Sequence, residues 1–283
     1  MKQTLLALTL VCSIISGFGQ HAYWTRNSPY QLHLSKDLLL GGSALGLALI
    51  GEHVESHEAI LNFDMGSLGP ADIDNINFLD RGVAGRWDVQ AKDAGKIFKF
   101  TAKRLVPLGL LALPGDVKSR VTLAVIYAEG VGMARGLTAL SKGLTNRLRP
   151  YTYLTLDQIS RLEGEAREEF LEDIQGDDIE DSFFSGDAVQ TALGLFFFAR
   201  TFQDYFPDSK WKKGVWAASI TGTALGAYFR AKSGKHFPTD VLVGSVVGGS
   251  LGFFLPLLHK HKATQSLSIL PTPQGLSITY LIR

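Results

Sequence analysis

From Phe98 onward the chain alternates long apolar segments, rich in alanine and glycine, with short charged turns. Only the last twenty residues show the every-second-residue alternation of a strand. The apolar segments predict helices at about 98–114, 119–145, 186–206, 211–230 and 237–259. The clearest is Val241 to Leu258, 18 residues without a charge, which ends at His259-Lys260-His261-Lys262 and sets Gly244 and Gly248 four apart for close helix contact. Glu129, Arg135 and Arg200 interrupt other segments, and a bilayer tolerates such residues where they face a cavity. A further glycine-rich stretch, Leu38 to Gly51, is shorter than a comfortable span and is expected to lie in or on the bilayer without crossing it. The fold expected is all-α: a membrane-embedded bundle of five to six mostly apolar helices, with a short β-like hairpin around Pro273-Gln274-Gly275 as its tail. A soluble helical bundle is the alternative.

Outside the bundle the pattern changes. Residues 1–20 run Met1-Lys2, an apolar stretch from Leu5 to Ile15, then Ser16-Gly17-Phe18-Gly19-Gln20, the layout of a cleaved export signal or an uncleaved amino-terminal anchor. Residues 21–97 form an extension holding the short apolar helix and a polar loop, 98–262 the helical core, and 263–283 the tail. Residues 163–181 hold ten acidic side chains and are expected to be a solvated connection between two helices. Lysine and arginine number 28 against 27 aspartates and glutamates, so no charge excess points to nucleic acid. The one cysteine, Cys12, lies in the apolar leader, which removes disulfide and cysteine-metal chemistry from the remainder.

Three segments place polar residues at helix ends, where antiparallel packing can bring them together. Lys142 and Arg149-Pro150 close one helix, and the proline stops it. Phe184-Ser185-Gly186-Asp187 opens the next, where unpaired backbone N–H groups favour an anion. Arg230, His236 and Asp240 form the third, with His236 and Asp240 four apart on one helical face. Cations and helix-terminal N–H groups suit the equatorial oxygens of a phosphoryl transition state, and an imidazole can attack phosphorus. Lys142, Arg149, Arg230, Ser185 and Gly186 are the expected phosphate cradle. His236 is the expected nucleophile and Asp240 its orienter.

In order and spacing, Lys142-x6-Arg149-Pro150, Ser185-Gly186 and Arg230-x5-His236-x3-Asp240 resemble the three-part signature of the type-2 phosphatidic acid phosphatase superfamily, which also holds class A acid phosphatases and vanadium haloperoxidases. The resemblance covers Lys142 to Gly248. It implies a phosphohydrolase of lipid-linked phosphates or diphosphates, such as phosphatidic acid or a prenyl diphosphate, working through a phosphohistidine without metal or other cofactor. It also implies a membrane partner, with the site on the outer, periplasmic face of the cell envelope; a soluble periplasmic protein is the alternative. Lysines and arginines at 118, 120, 210, 212, 213, 260 and 262 fall on the opposite side, as the positive-inside rule requires. The chain departs from the pattern at Asp187, where the family has the histidine that protonates the leaving group. A carboxylate is a poor acid at neutral pH, whereas a diphosphate departs as phosphate and needs less help. Two expectations follow: a preference for diphosphates, or a weakly active protein that binds phosphorylated lipid. A smaller departure is Phe229, where the family often has serine. His53 and His57, with Glu52, Glu55 and Glu58, raise a zinc alternative, but the His-Glu-x-x-His pattern is absent and a solvated helix end is the better reading.

Overall fold

The computed structural model describes residues 28–55, 70–102, 106–176 and 178–261, with two strands at 265–272 and 275–282. The leader at 1–20, His57, Glu58 and the Pro273-Gln274 turn lie outside the described residues, as do the side chains of Glu52 and Glu55. The helices are α1 (Leu34–Glu55), α2 (Pro70–Asp74), α3 (Val89–Phe100), α4 (Val106–Leu111), α5 (Val117–Thr145), α6 (Leu156–Ser160), α7 (Gly164–Gln175), α8 (Gly186–Tyr205), α9 (Lys212–Lys232) and α10 (Pro238–Leu258). The tail forms β1 (Gln265–Thr272) and β2 (Gly275–Ile282), an antiparallel pair closing on Thr272 opposite Gly275. The fold is therefore an all-α bundle with a hairpin tail, as expected.

Helix α8 is the centre of the bundle. Val189, Ala192, Leu193 and Phe197 are fully buried, with α5, α9 and α10 packed around them. Contact with α10 is set by glycine: a Cβ on Gly244, Gly248 or Gly252 would lie 2.7, 2.0 or 2.5 Å from the carbonyl oxygens of Ser185, Val189 and Leu193. The two backbones touch along three successive turns, which only residues without a side chain permit. Because the connections are short, α8, α9 and α10 alternate in direction, and the end of α5 meets the start of α8 and α10.

Two expectations about helices are corrected. The segment at 38–52 is a 22-residue helix, α1, whose stretch Leu34–Gly51 is long and apolar enough to cross a membrane. It lies along α5, with Gly51 against the carbonyl of Gly136, and its other face exposes Leu38, Leu39, Leu45, Leu49 and Ile50. Sequence pattern undervalued it because glycines dilute its hydropathy while enabling the contact. The single helix expected at 98–114 is two: α3 starts nine residues earlier, where the Asp88 carboxylate accepts from the Ala91 N–H at 2.9 Å, and the boundary drawn at 97/98 falls inside it.

Among the described residues three helices meet the length and apolarity of a span: α1, α5 and α10. The apolar segments from residue 98 onward predict five. Helix α8 needs less apolar length because protein surrounds it, and α9 carries Lys212, Lys213, Arg230 and Lys232 at its ends. Val121, Ile220, Leu225, Leu242, Val246 and Phe254 are exposed as well, which with the exposed leucines of α1 is consistent with membrane association.

Candidate active site

The carboxyl end of α5 sets the first part of the site. Asn146 turns left-handed at φ 43° and its N–H caps the Lys142 carbonyl at 2.9 Å, ending the helix. The chain then runs extended: Arg149 N donates to Ile179 O at 2.9 Å, and Ser182 N to Arg147 O at 3.0 Å. This pairing delivers Arg149 and the 178–182 loop to one place. The Ser185 hydroxyl caps α8, accepting from the Ala188 N–H at 3.3 Å, and its own N–H donates to the Asp240 carbonyl at 3.1 Å, joining the second segment to the third. Gly234, at φ +77°, makes the turn from α9 into α10; a Cβ there would lie 1.8 Å from the Arg86 carbonyl oxygen.

A cavity of about 680 Å³ opens where these segments meet, lined by Lys142, Arg149, Gly186, Asp187, Arg230 and His236. Lys99 of α3, Arg135 of α5, the small or apolar Ala44, Leu45 and Ala48 of α1, and the acidic Asp178 also line it. Six of the eight expected residues thus share one cavity. Ser185 is fully buried and serves as the helix cap, and Asp240 lies beneath the wall.

His236 is buried, and its Nδ1 lies 2.8 Å from the Ser182 carbonyl oxygen. A carbonyl only accepts, so Nδ1 carries the proton and Nε2 keeps its lone pair. Burial, then the positive charges of Arg149 and Arg230, hold the imidazole well below the ordinary histidine range, so it is neutral at pH 7. The expected orienter, Asp240, does not hold the ring: its Oδ2 is 4.0 Å from Nδ1. That oxygen instead accepts from Ser182 Oγ at 2.6 Å and Phe237 N at 2.7 Å. Asp240 therefore positions the loop whose carbonyl positions the histidine.

Below it lies a polar cluster that sequence reasoning missed. Arg147 bridges Asp240 Oδ1 and Asp80 Oδ2, the latter at 2.7 Å, with its guanidinium 4.3 Å from the Phe237 ring centroid. Asp80 also accepts from Thr239 N at 2.9 Å and Asn77 Nδ2 at 2.6 Å. Burial pushes the Asp80 carboxyl up, but these bonds, led by Arg147, outweigh it and hold the group below its usual range. Arg147 stands two residues before Arg149, the one local hint; Asp80 is 159 residues from Thr239, and no pattern links them.

The acidic segment is a solvated connection only in part: Glu163, Glu165, Glu168 and Glu172 are exposed, but Glu169, Asp173, Asp178 and Asp181 are drawn into ion pairs. Asp178 Oδ2 binds Arg149 Nη2 at 2.7 Å and Asp181 binds Lys142 at 3.0 Å. In α7, Glu169 and Asp173 hold Lys92 at 2.5 and 3.0 Å, and Asp173 holds Lys235 at 2.5 Å. Concentrated positive charge at the helix ends draws the segment in. Asp187 likewise sits between Lys99 Nζ at 3.0 Å and Arg230 Nη2 at 3.3 Å, accepting from both. Arg230 Nε is buried without an acceptor.

A helix-end cavity with five basic side chains and a buried neutral imidazole has the makings of an oxyanion-binding site suited to phosphoryl chemistry. Residues 123–263 match the family model described as the PAP2 superfamily, and this core of the chain belongs to that superfamily. Membership carries phosphatase activity on phosphate esters. No curated protein and no solved structure matches the chain.

Proposed function

We propose that the protein is a membrane-associated phosphohydrolase of lipid-linked phosphates with a preference for diphosphates, such as a prenyl diphosphate over phosphatidic acid. The observation that carries this is His236, neutral, tied at Nδ1 to the Ser182 carbonyl, and part of a cavity wall with Arg149, Arg230, Lys142 and the start of α8. Its Nε2 lone pair forms the N–P bond as the P–O bond to the leaving group breaks, and water then attacks the phosphohistidine. Arg230 Nε, an N–H with no acceptor, is a donor that a phosphoryl oxygen would satisfy. Gly186 opens α8 and offers its amide end to the same oxygens.

Asp187 governs the leaving group. Committed to Lys99 and Arg230, it accepts two contacts and is not arranged to hand over a proton. An alkoxide leaving group would lack an acid, whereas a departing phosphate stabilises its own charge. The apolar wall from Ala44, Leu45 and Ala48 favours a substrate with a hydrocarbon portion beside the phosphate. The proposed orientation puts the site on the outer face of an exported envelope protein.

A second reading, a phosphate-lipid binder with little turnover, is favoured by the ion pairs that engage Lys142, Arg149 and Arg230 with Asp181, Asp178 and Asp187. Phosphate release from prenyl diphosphate and phosphatidic acid, measured side by side in detergent for wild type and His236→Ala, separates the two. Release that is lost in the variant and faster on the diphosphate supports the hydrolase. Binding without His236-dependent release supports the second reading.

A further inference from the structure

Helix α10 ends at a second, separate cluster. His259 is fully buried, and its Nδ1 lies 2.8 Å from the Leu255 carbonyl oxygen. That carbonyl accepts, so Nδ1 carries a proton and a neutral ring turns the Nε2 lone pair toward Asp37 Oδ1 at 3.0 Å and Glu129 Oε2 at 3.3 Å. Three ligand atoms, one nitrogen and two carboxylate oxygens, lie within 4.8 Å of one another. The Glu129 side chain is only 5% exposed, and its Oε2 has no hydrogen-bond donor. An imidazolium could donate from Nε2 to Asp37 and would still leave that oxygen unsatisfied. Lys36, the nearby cation, places its ammonium 2.5 Å from the Leu258 carbonyl.

We infer that Asp37, Glu129 and His259 form a binding site for a divalent cation of the zinc class, clasping α1 to α5 and α10. Imidazole with carboxylates suits such an ion. Bonds of about 2.0–2.1 Å in a tetrahedron place ligand atoms roughly 3.3 Å apart, close to the two separations observed from Nε2. The Leu255 carbonyl supplies the outer contact that fixes a ligating histidine in the right tautomer. Asp37, 14% exposed, leaves a route from solvent and room for water as the fourth ligand. The site is not catalytic: Glu129 is thirteen residues before Lys142 on α5, about 20 Å along the helix. Its effect is mechanical, because the clasped Asp37 stands two turns before Ala44, where α1 joins the active-site wall. A sequence scan misses the cluster because Asp37 and His259 are 222 residues apart.

The test uses the full chain in detergent, free of any affinity tag, stripped with chelator, dialysed against Zn²⁺ and counted by elemental mass spectrometry. Wild type is expected to hold one ion per chain, with the unfolding midpoint raised by about 5–10 °C at a hundredfold excess over Kd. His259→Ala should lose the ion. Should that variant fail to fold, Asp37→Asn keeps the shape of the cluster and should bind at least tenfold more weakly, with its metal-free midpoint no lower than wild type. Absence of stoichiometric Zn²⁺ from wild type, or equal binding by either variant, overturns the inference.

Discussion

Replacing Arg147 with methionine is the sharpest test of how the site is held. The substitution keeps the length that packs on Phe237 and removes the charge shared by Asp80 and Asp240, both of whose side chains are fully buried. Breaking a buried pair by removing one partner costs about 3–5 kcal/mol. The remaining bonds place this case near the lower value: Asp80 retains Thr239 and Asn77, and Asp240 retains Ser182 and Phe237. About 3 kcal/mol corresponds to a midpoint lowered by roughly 6–12 °C in a chain of this size. The pH dependence sharpens the test. In wild type the Asp80 carboxyl lies below its unfolded value, so its contribution is present above about pH 4 and fades only as the pH falls through the folded value. Without Arg147 the first of the bonds that oppose burial is gone, so the folded value rises from its wild-type position. The folded variant then protonates Asp80 at a higher pH than folded wild type does, and the gap between the two narrows as the pH falls. Arg161→Met, which removes an exposed pair with Asp157, serves as the control and should change stability by less than about 0.5 kcal/mol. Thermal unfolding in detergent reads all three proteins. A gap below about 1 kcal/mol at pH 7, or one that does not change with pH, would refute the reasoning.

The low-lying histidine predicts that the acid limb of kcat/KM belonging to His236 falls below the ordinary value of about 6.5. A limb at or above that value would mean that the ring is not neutral in the free enzyme. Asp187→His should raise monoester turnover more than diphosphate turnover, and equal gains would remove the leaving-group argument. Gly248→Ala, whose new Cβ would meet the Val189 carbonyl at 2.0 Å, should cost about 3 kcal/mol, read as a lowered unfolding midpoint. Gly41→Ala in α1, where nothing lies within 4 Å, should instead gain about 0.5–1 kcal/mol; similar midpoints for the two would count against backbone contact between α8 and α10.

The sequence exposes what is local and periodic. Helices α5, α8, α9 and α10 begin and end within about two residues of the apolar segments, because Asp116 caps α5, Ser185 caps α8 and Pro238 opens α10, and such signals act over one turn. The motif spacing also placed Lys142, Arg149, Arg230 and His236 in one cavity. Contacts that depend on the assembled bundle were illegible. Ser182 holds His236 with a backbone carbonyl, a group every residue possesses, so residue type carries no signal. Asp80 was hidden in a polar stretch that reads as loop. The acidic run looked like solvated surface because its partners, Lys92, Lys142, Arg149 and Lys235, arrive from other elements.

The glycine stripe on α10 repeats every four residues, and so does the row of Ser185, Val189 and Leu193 carbonyls that it meets. Such a repeat is nearly degenerate under sliding. Moving α10 by one four-residue repeat would set Gly244 where Gly248 now lies, with similar backbone contact, and would displace His236 by about 6 Å relative to the start of α8. Closeness of the helices therefore does not select their registry. What breaks the degeneracy is at the end of the stripe, where the Ser185 N–H meets the Asp240 carbonyl and the Asp240 carboxylate meets Ser182 and Arg147. The polar residues beneath the cavity act as an index mark for the helix pair, and changes there should populate a slipped bundle that keeps its helices and loses its chemistry.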